Sequence, residues 1–175
     1  RWSIYFERTP DLGATWERTP LLHDGLEIRA IQPSLLVSPQ GHLLALGRTR
    51  NARIFHTTST DNGRSWTPLT LGSLPNPNAG TDAVTLRNGT HLLVYNHSEK
   101  ARSPLNVATS TDGVTWLAAL QLESEPGEFS YPAVVQTRDG RVHITYTWKR
   151  TKIRHAILDP GALRSRPFVD GHWPP

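Results

Sequence analysis

Three similar polar turns, each ending in tryptophan, recur along this chain at a fixed interval. They read TPDLGATW at 9–16, STDNGRSW at 59–66 and STDGVTW at 110–116, so the tryptophans stand at positions 16, 66 and 116. Self-similarity with a period of about fifty residues indicates a solenoid, a propeller or an array of repeated units. This repeat limits the possible folds more than any other property of the chain.

The segments around the turns repeat as well. Each unit has two short apolar segments joined by a turn, then a third segment leading into the polar turn and a fourth after the tryptophan. The first segments are 33–38, 82–87 and 132–137, the second are 43–47, 91–96 and 142–147, and the third are 53–59, 105–110 and 152–158. Asn-Gly or Asp-Gly pairs occupy two of the connecting turns, as is typical of hairpins. Four hairpin-linked strands with this period predict a propeller blade, and no segment predicts an amphipathic helix.

The polar turn is expected to be part of the scaffold. Its aspartate can accept hydrogen bonds from backbone N–H groups of the same turn, and its glycine can adopt a positive φ. The tryptophan that starts the fourth strand can cover the gap between neighbouring sheets with a large apolar ring. We therefore interpret these aspartates as structural rather than catalytic.

Composition narrows the classes of partner. The chain has 175 residues, which is long enough for one domain with a core. Its net charge is +4, and it has no cysteine. Its basic residues are scattered, which disfavours nucleic acid, although a basic surface also suits an anionic sugar. No apolar run approaches the length of a membrane span. Dispersed histidines and the absence of thiols give little support for metal, so we predict neither a metal nor a cofactor.

The turn pattern, together with stretches such as NAGTDAVTLRNGTHLLVYNHS and GEFSYPAVVQTRDGRVHITYTW, resembles the Asp-box of the sialidase, or BNR-repeat, superfamily. The chain is similar to the C-terminal half of bacterial predicted neuraminidases. The resemblance implies an all-β fold: a sialidase-like β-propeller fragment of about three and a half four-stranded blades out of six. The blades are predicted to occupy 1–20, 30–72, 79–123 and 129–170.

An open half-propeller would expose unpaired strand edges. The chain starts without methionine and in the middle of a predicted blade. We therefore expect either an N-terminal half outside this sequence or self-association of two copies to close the ring. The compartment stays open, with a bacterial periplasmic or secreted location preferred over a cytoplasmic one.

Candidate functional residues are polar positions that vary between blades while the surrounding strands repeat. In a propeller the start of each first strand and the end of each second strand face the mouth of the channel. Aligning the blades gives four equivalent sets: Gln32, Thr81 and Tyr131; Pro33, Asp82 and Pro132; Arg48, His97 and Trp148; and Arg50, Glu99 and Arg150.

Tyr131 is the first catalytic candidate. The resemblance implies a tyrosine nucleophile activated by a glutamate, because a neutral nucleophile avoids repulsion from the carboxylate at the anomeric carbon. The stretch GEFSYPAV places Glu128 just before Tyr131. The family glutamate normally comes from another blade, and Tyr131 could instead be only a channel-lining aromatic.

The resemblance also implies arginines that bind the substrate carboxylate, because a guanidinium fork matches a carboxylate. Arg48 is the first candidate, and Arg50 and Arg150 are weaker ones that could be solvated strand-end charges. The Phe-Arg-Ile-Pro type of motif is absent from the sequence, and the acid/base aspartate that follows it in the family has no counterpart here. The implied function is hydrolysis of a terminal acidic sugar from a glycan.

His97 supports an alternative enzyme. Some propeller-fold polysaccharide lyases cleave uronate-containing chains by β-elimination, and His97, Tyr131, Lys149 and Arg48 would suit the proton transfer and the carboxylate contact. His97 could equally be a structural histidine, and Asp82 either a mouth carboxylate or a strand cap. A non-catalytic propeller that binds a carbohydrate or protein also remains open, because fold does not determine function.

Overall fold

The computed structural model describes all residues, 1–175, as an arc of antiparallel sheets. The all-β prediction is confirmed. The strands are β1 (Glu7–Arg8), β2 (Glu17–Arg18), β3 (Ala30–Val37), β4 (Leu43–Thr49), β5 (Arg53–Ser59), β6 (Thr70–Pro75), β7 (Asp82–Thr85), β8 (His91–Tyr95), β9 (Leu105–Ser110), β10 (Leu117–Glu123), β11 (Phe129–Gln136), β12 (Val142–Trp148) and β13 (Lys152–Leu158). A single 3-10 turn covers Pro160–Ala162, and no helix of the chain could span a membrane.

The strands form four sheets in chain order. A two-stranded piece, β1–β2, is followed by the four-stranded blades β3–β6 and β7–β10 and by a three-stranded blade, β11–β13. Each blade is a meander in which neighbouring strands pair antiparallel. These are the sheets that the fifty-residue repeat predicts, except that the last blade has three strands instead of four.

The hydrophobic core lies between the blades. One cluster joins Leu36, Leu46 and Leu74 of the first complete blade to Leu93 and Tyr95 of the next. A second cluster joins β8 and β9 to β11 and β12 in the same way. Every residue of β8 is buried, because this strand is covered by a neighbouring blade on both faces and so reads as a continuous apolar run.

The first strands of the three blades stand side by side at the inner edge of the arc. Asp82 of β7 accepts a hydrogen bond from the Ser34 hydroxyl of β3 (2.8 Å) through Oδ1 and one from the backbone N–H of Val134 in β11 (2.8 Å) through Oδ2. One carboxylate therefore ties three blades together. These contacts bring the beginnings of β3, β7 and β11 to one place.

The Asp-box turns have the predicted scaffold role. Asp61 accepts from the backbone N–H of Ser65 (2.9 Å), and Gly63, at φ 81°, donates its N–H to the Ser59 hydroxyl (2.9 Å). Trp66 donates its indole N–H to the Gly63 carbonyl (3.2 Å) and stacks on Phe6 across the gap to β1, with ring centroids 4.0 Å apart. The equivalent Trp116 is buried in the cluster between blades. The third, Trp16, is largely exposed.

These turns give a stability prediction. The carboxylate of Asp112 accepts from the backbone N–H groups of Val114 (2.8 Å) and Thr115 (2.7 Å), and its turn holds the buried Trp116. We expect Asp112→Ala to lower the free energy of unfolding by about 1–3 kcal/mol, because these N–H groups lose their acceptor. The matched control is Asp11→Ala in the exposed first turn, which should change the global unfolding free energy far less. Equal losses in urea titrations of the two variants would contradict the prediction.

The same hydrogen bonds lower the pKa of Asp112 to about 2, against the opposing effect of burial. A depressed folded-state pKa stabilises the fold above the unfolded-state value near 4, and that contribution is lost as the pH falls towards about 2. The difference in stability between the parent protein and Asp112→Ala should therefore shrink over that interval.

The segment after β13 leaves its own sheet. Instead of returning as a fourth strand it crosses to the preceding blade, where Arg166 and Ala118 exchange two backbone hydrogen bonds of 2.8 Å. Phe168 then packs against the cluster between the first two complete blades. The outer edge of β13 is left without a partner strand and exposes Ile153 and Ile157.

An open apolar strand edge is a site for pairing with another chain. We propose that these 175 residues, produced alone, self-associate through β13, and that replacing Ile153 and Ile157 with lysine reduces the association without unfolding the protein. Light scattering coupled to gel filtration measures the mass of the particles. A stable monomer of the unmodified chain at micromolar concentration would overturn this prediction.

Candidate functional site

Tyr131 lies at the inner edge of the arc, where β11 begins. Its φ is 51°, and the pairing of β11 with β12 shifts register between Ser130 and Ala133. Gln32 has a φ of 55° at an equivalent register shift in β3. A bulge of this kind redirects a side chain out of the regular alternation of a strand. The two residues therefore occupy equivalent positions, as the alignment of the blades predicts.

Gln32 and Tyr131 both line a small cavity of about 280 Å³. Its lining consists of Gln32, Pro33, Ser34, Gly80, Thr81, Asp82, Tyr131 and Pro132. A Cβ on Gly80 would lie 3.3 Å from Cδ1 of Tyr131, so a side chain there would crowd the tyrosine ring. The hydroxyl of Thr81 is buried and has no hydrogen-bond partner in the protein.

Two arginines flank the tyrosine. The guanidinium group of Arg48, and to a smaller extent that of Arg102, lowers the pKa of the Tyr131 phenol by favouring its anionic form. Cζ of Arg102 lies 5.6 Å from the centre of the Tyr131 ring. Tyr131 is 53% exposed, whereas Arg48 is only 8% exposed.

Arg48 is unusual because it is buried without an anionic partner. It forms no ion pair with Asp or Glu, and its Nε and Nη1 atoms have no hydrogen-bond acceptor in the protein. Buried charges are normally paired, since desolvation of an isolated charge is costly. Two buried N–H-bearing nitrogens of Arg48 are therefore left without a partner near an exposed tyrosine, which makes Arg48 a candidate contact for a carboxylate or a similar anion.

Glu128 has different partners from those expected of a base for Tyr131. Its Oε1 accepts from Arg102 (3.0 Å) and from the Ser130 hydroxyl (3.2 Å), and its Oε2 accepts from Nε of Arg150 (2.5 Å). The hydrogen bond from Arg150 is the main reason why the pKa of Glu128 is lowered. A carboxylate held in this way is a weak proton acceptor, and its evident role is to orient the two arginines.

The remaining candidates lie around this group or apart from it. Arg50 is exposed and stacks over the ring of Trp2, with Cζ 4.2 Å from the centroid. Lys149 pairs with Glu125 at 2.8 Å, near Glu128, whose carbonyl accepts from the Lys149 N–H at 2.7 Å. Asp82 lines the cavity, but both of its oxygens are engaged in joining the blades.

His97 belongs to a separate cluster. Its Nδ1 is 2.6 Å from the Tyr95 hydroxyl and its Nε2 is 2.9 Å from the Gly171 carbonyl. Phe168 stacks on the imidazole ring, and Trp173 meets it edge-on. Burial lowers the pKa of His97. With both ring nitrogens occupied, His97 holds the C-terminal segment rather than facing Tyr131.

Sequence reasoning missed Arg102 and Trp2. A longer loop could have indicated Arg102. The connection between the second and third strands covers 96–104 in its blade, but only 50–52 and 149–151 in the other two. An insertion at the mouth of a repeat fold is a frequent place for a binding residue. Trp2 had no signal, because nothing in the sequence relates it to Arg48. The chain holds no cluster of three or more histidine, aspartate or glutamate side chains suited to a metal.

The fold is that of a β-propeller, of which the chain forms a part. The chain matches the BNR repeat-like domain over residues 1–144, and it belongs to that family. A search of curated proteins finds no match.

Solved structures show the same fold at low sequence identity. The intramolecular trans-sialidase of Ruminococcus gnavus aligns with 93% of this chain at 15% identity and a TM-score of 0.75, and a sialidase from Streptococcus pneumoniae aligns with 93% at 14% and 0.72. The α-L-arabinanase of Penicillium chrysogenum aligns with 99% at 18% and 0.64. The chain spans 39%, 28% and 61% of the lengths of these proteins.

Proposed function

We propose that the protein is a sialidase-like exo-glycosidase that removes a terminal acidic sugar from a glycan. The observation that carries this proposal is the buried Arg48, whose unpaired N–H groups lie beside Tyr131. In this scheme Arg48 and Arg102 bind the carboxylate of the sugar, and Tyr131 lies next to the anomeric carbon that bears it. A structurally similar protein also supports the proposal: the Ruminococcus gnavus trans-sialidase, whose structure is a complex with oseltamivir carboxylate.

The proposed reaction has two steps. The oxygen of Tyr131 attacks the anomeric carbon, the glycosidic bond breaks, and the released alcohol takes up a proton. Water then attacks the same carbon, the bond to tyrosine breaks, and the phenol is restored. The two guanidinium groups favour the anionic phenolate, which makes tyrosine a better nucleophile without a dedicated carboxylate base.

The proton donor in the first step is assigned to a group outside these 175 residues. Asp82 lines the cavity and Glu128 lies three residues before the tyrosine, and each accepts hydrogen bonds through both oxygens. The lowered pKa of Glu128, caused first by its hydrogen bond from Arg150, makes it a poor acid, and the oxygens of Asp82 are taken up in joining the blades. The chain itself therefore supplies the anion clamp and the nucleophile.

The deciding experiment offers a panel of sialosides and uronate-containing polysaccharides to purified protein that carries the proposed proton donor as well as these 175 residues. Released sugar and near-ultraviolet absorbance are read together. Free acidic sugar without new absorbance supports the hydrolase. New absorbance signals the unsaturated product of a lyase and would overturn the proposal, and a folded protein that binds the sugars but releases nothing would make it a non-catalytic carbohydrate-binding propeller.

A further inference from the structure

Trp2 is the aromatic neighbour of the unpaired arginine. Cζ of Arg48 lies 4.9 Å from the centre of the Trp2 ring, and Cζ of Arg50 lies 4.2 Å from it. A guanidinium over the face of an indole is attracted by the negative face of the ring, and the attraction grows when the pair is shielded from water. Arg48 is 8% exposed, so this contact is largely shielded from water.

The position of Trp2 is itself built into the fold. Gly25 has a φ of 73°, and a Cβ at that residue would lie 2.2 Å from the backbone oxygen of Trp2. Only glycine lets the two segments approach so closely. Ile4 is buried in a cluster with Phe55, and its carbonyl accepts from the Leu22 N–H at 2.9 Å. The segment that carries Trp2 is thus anchored against the sheet that carries Arg48.

The type of contact matters for an anion site. An Asp or Glu partner would occupy the N–H edge of the guanidinium and would repel a second carboxylate. An aromatic face attracts the planar cation without taking up its N–H groups, and Nε and Nη1 of Arg48 have no acceptor in the protein. The aromatic contact therefore fixes the arginine without neutralising it.

We propose that Trp2 is a positioning residue of the anion-binding site, which holds the guanidinium of Arg48 by its face so that the N–H edge is presented to a carboxylate. This inference rests on the proposed function for the identity of the anion, and on the contacts alone for the role of the ring. Trp2, which is far from Tyr131 in sequence, would then control the position of the Arg48 charge next to that tyrosine.

The test compares Trp2→Leu and Trp2→Phe with the parent protein. Leucine removes the aromatic face, so the KM for an active sialoside should rise about 5- to 30-fold with a smaller change in kcat. Phenylalanine should restore part of the loss. Trp16→Leu, at an exposed tryptophan outside the site, is the matched control and should change neither constant.

A second readout needs no substrate. Tyr131 has a lowered pKa, whereas burial raises those of Tyr95 and Tyr146, so ultraviolet titration against Tyr131→Phe isolates the ionisation of Tyr131. If Trp2 positions Arg48, Trp2→Leu shifts that ionisation to higher pH and Trp2→Phe shifts it less. Near-ultraviolet circular dichroism identifies any variant that has failed to fold, and the phenylalanine variant then decides.

The outcomes separate the two proposals. A shifted Tyr131 titration without hydrolysis of any sialoside would uphold the role of Trp2 and reject the proposed function. Hydrolysis that Arg48→Met abolishes, with the titration and the KM unchanged in folded Trp2→Leu, would uphold the function and reject the role of Trp2.

Discussion

Replacing Tyr131 with phenylalanine is expected to lower the rate of sialoside hydrolysis by at least about 10³-fold while the protein stays folded. The ring remains in place against Gly80, and only the hydroxyl is lost. Because 53% of Tyr131 is exposed, removal of that oxygen disturbs little packing, and the group that loses a neighbour is the guanidinium of Arg48. Thermal unfolding should therefore change much less than the rate.

The control for this variant is Tyr5→Phe. Tyr5 is also partly exposed and also lies under an arginine, Arg18, at 4.2 Å, but it precedes β1 and does not line the cavity. It should keep full activity. If Tyr131→Phe hydrolyses sialosides at the parental rate, the covalent scheme is wrong, whatever the substrate proves to be.

Arg48→Met should have the second largest effect. Methionine keeps much of the aliphatic volume but removes the charge, and the loss of one partner in a buried charged contact with the substrate should lower kcat/KM by about 10²-fold or more. The same variant should raise the pKa of Tyr131, since Arg48 is the first cause of its lowered value. Initial rates and ultraviolet titration measure the two effects.

The effect of Arg48→Met on stability should have the opposite sign from its effect on activity. A buried guanidinium with unpaired N–H groups destabilises the empty protein, so an apolar replacement should leave the unfolding midpoint unchanged or raise it. Arg50→Met is the matched control, because Arg50 stacks on the same ring from an exposed position. A clear fall in stability for Arg48→Met alone would show that the arginine has a structural role instead.

The strands of the blades could be predicted because each repeat contains the local sequence features that form its strands and turns. Alternating apolar segments, hairpin glycines and the Asp-box at 59–66 or 110–116 act through contacts within a few residues. The placing of Gln32, Thr81 and Tyr131 at one cavity also followed from the repeat, since equivalent positions of neighbouring blades meet at the inner edge.

The partners of the candidate side chains could not be predicted in the same way. Glu128 was expected beside Tyr131 because it is near in sequence, yet its oxygens bind Arg102 and Arg150. His97 occupies a mouth position in the repeat, but the C-terminal segment covers it through Gly171. Both outcomes depend on chain segments that converge from different blades.

The sequence by itself determined the type of fold and the positions that face the inner edge, because these follow from local periodicity and turn chemistry repeated along the chain. Only the tertiary structure decided which charges are paired. Whether Arg48 has a carboxylate or the ring of Trp2 for a neighbour depends on distances across blades, and burial, which makes an unpaired charge significant, is a property of the packed sheets together.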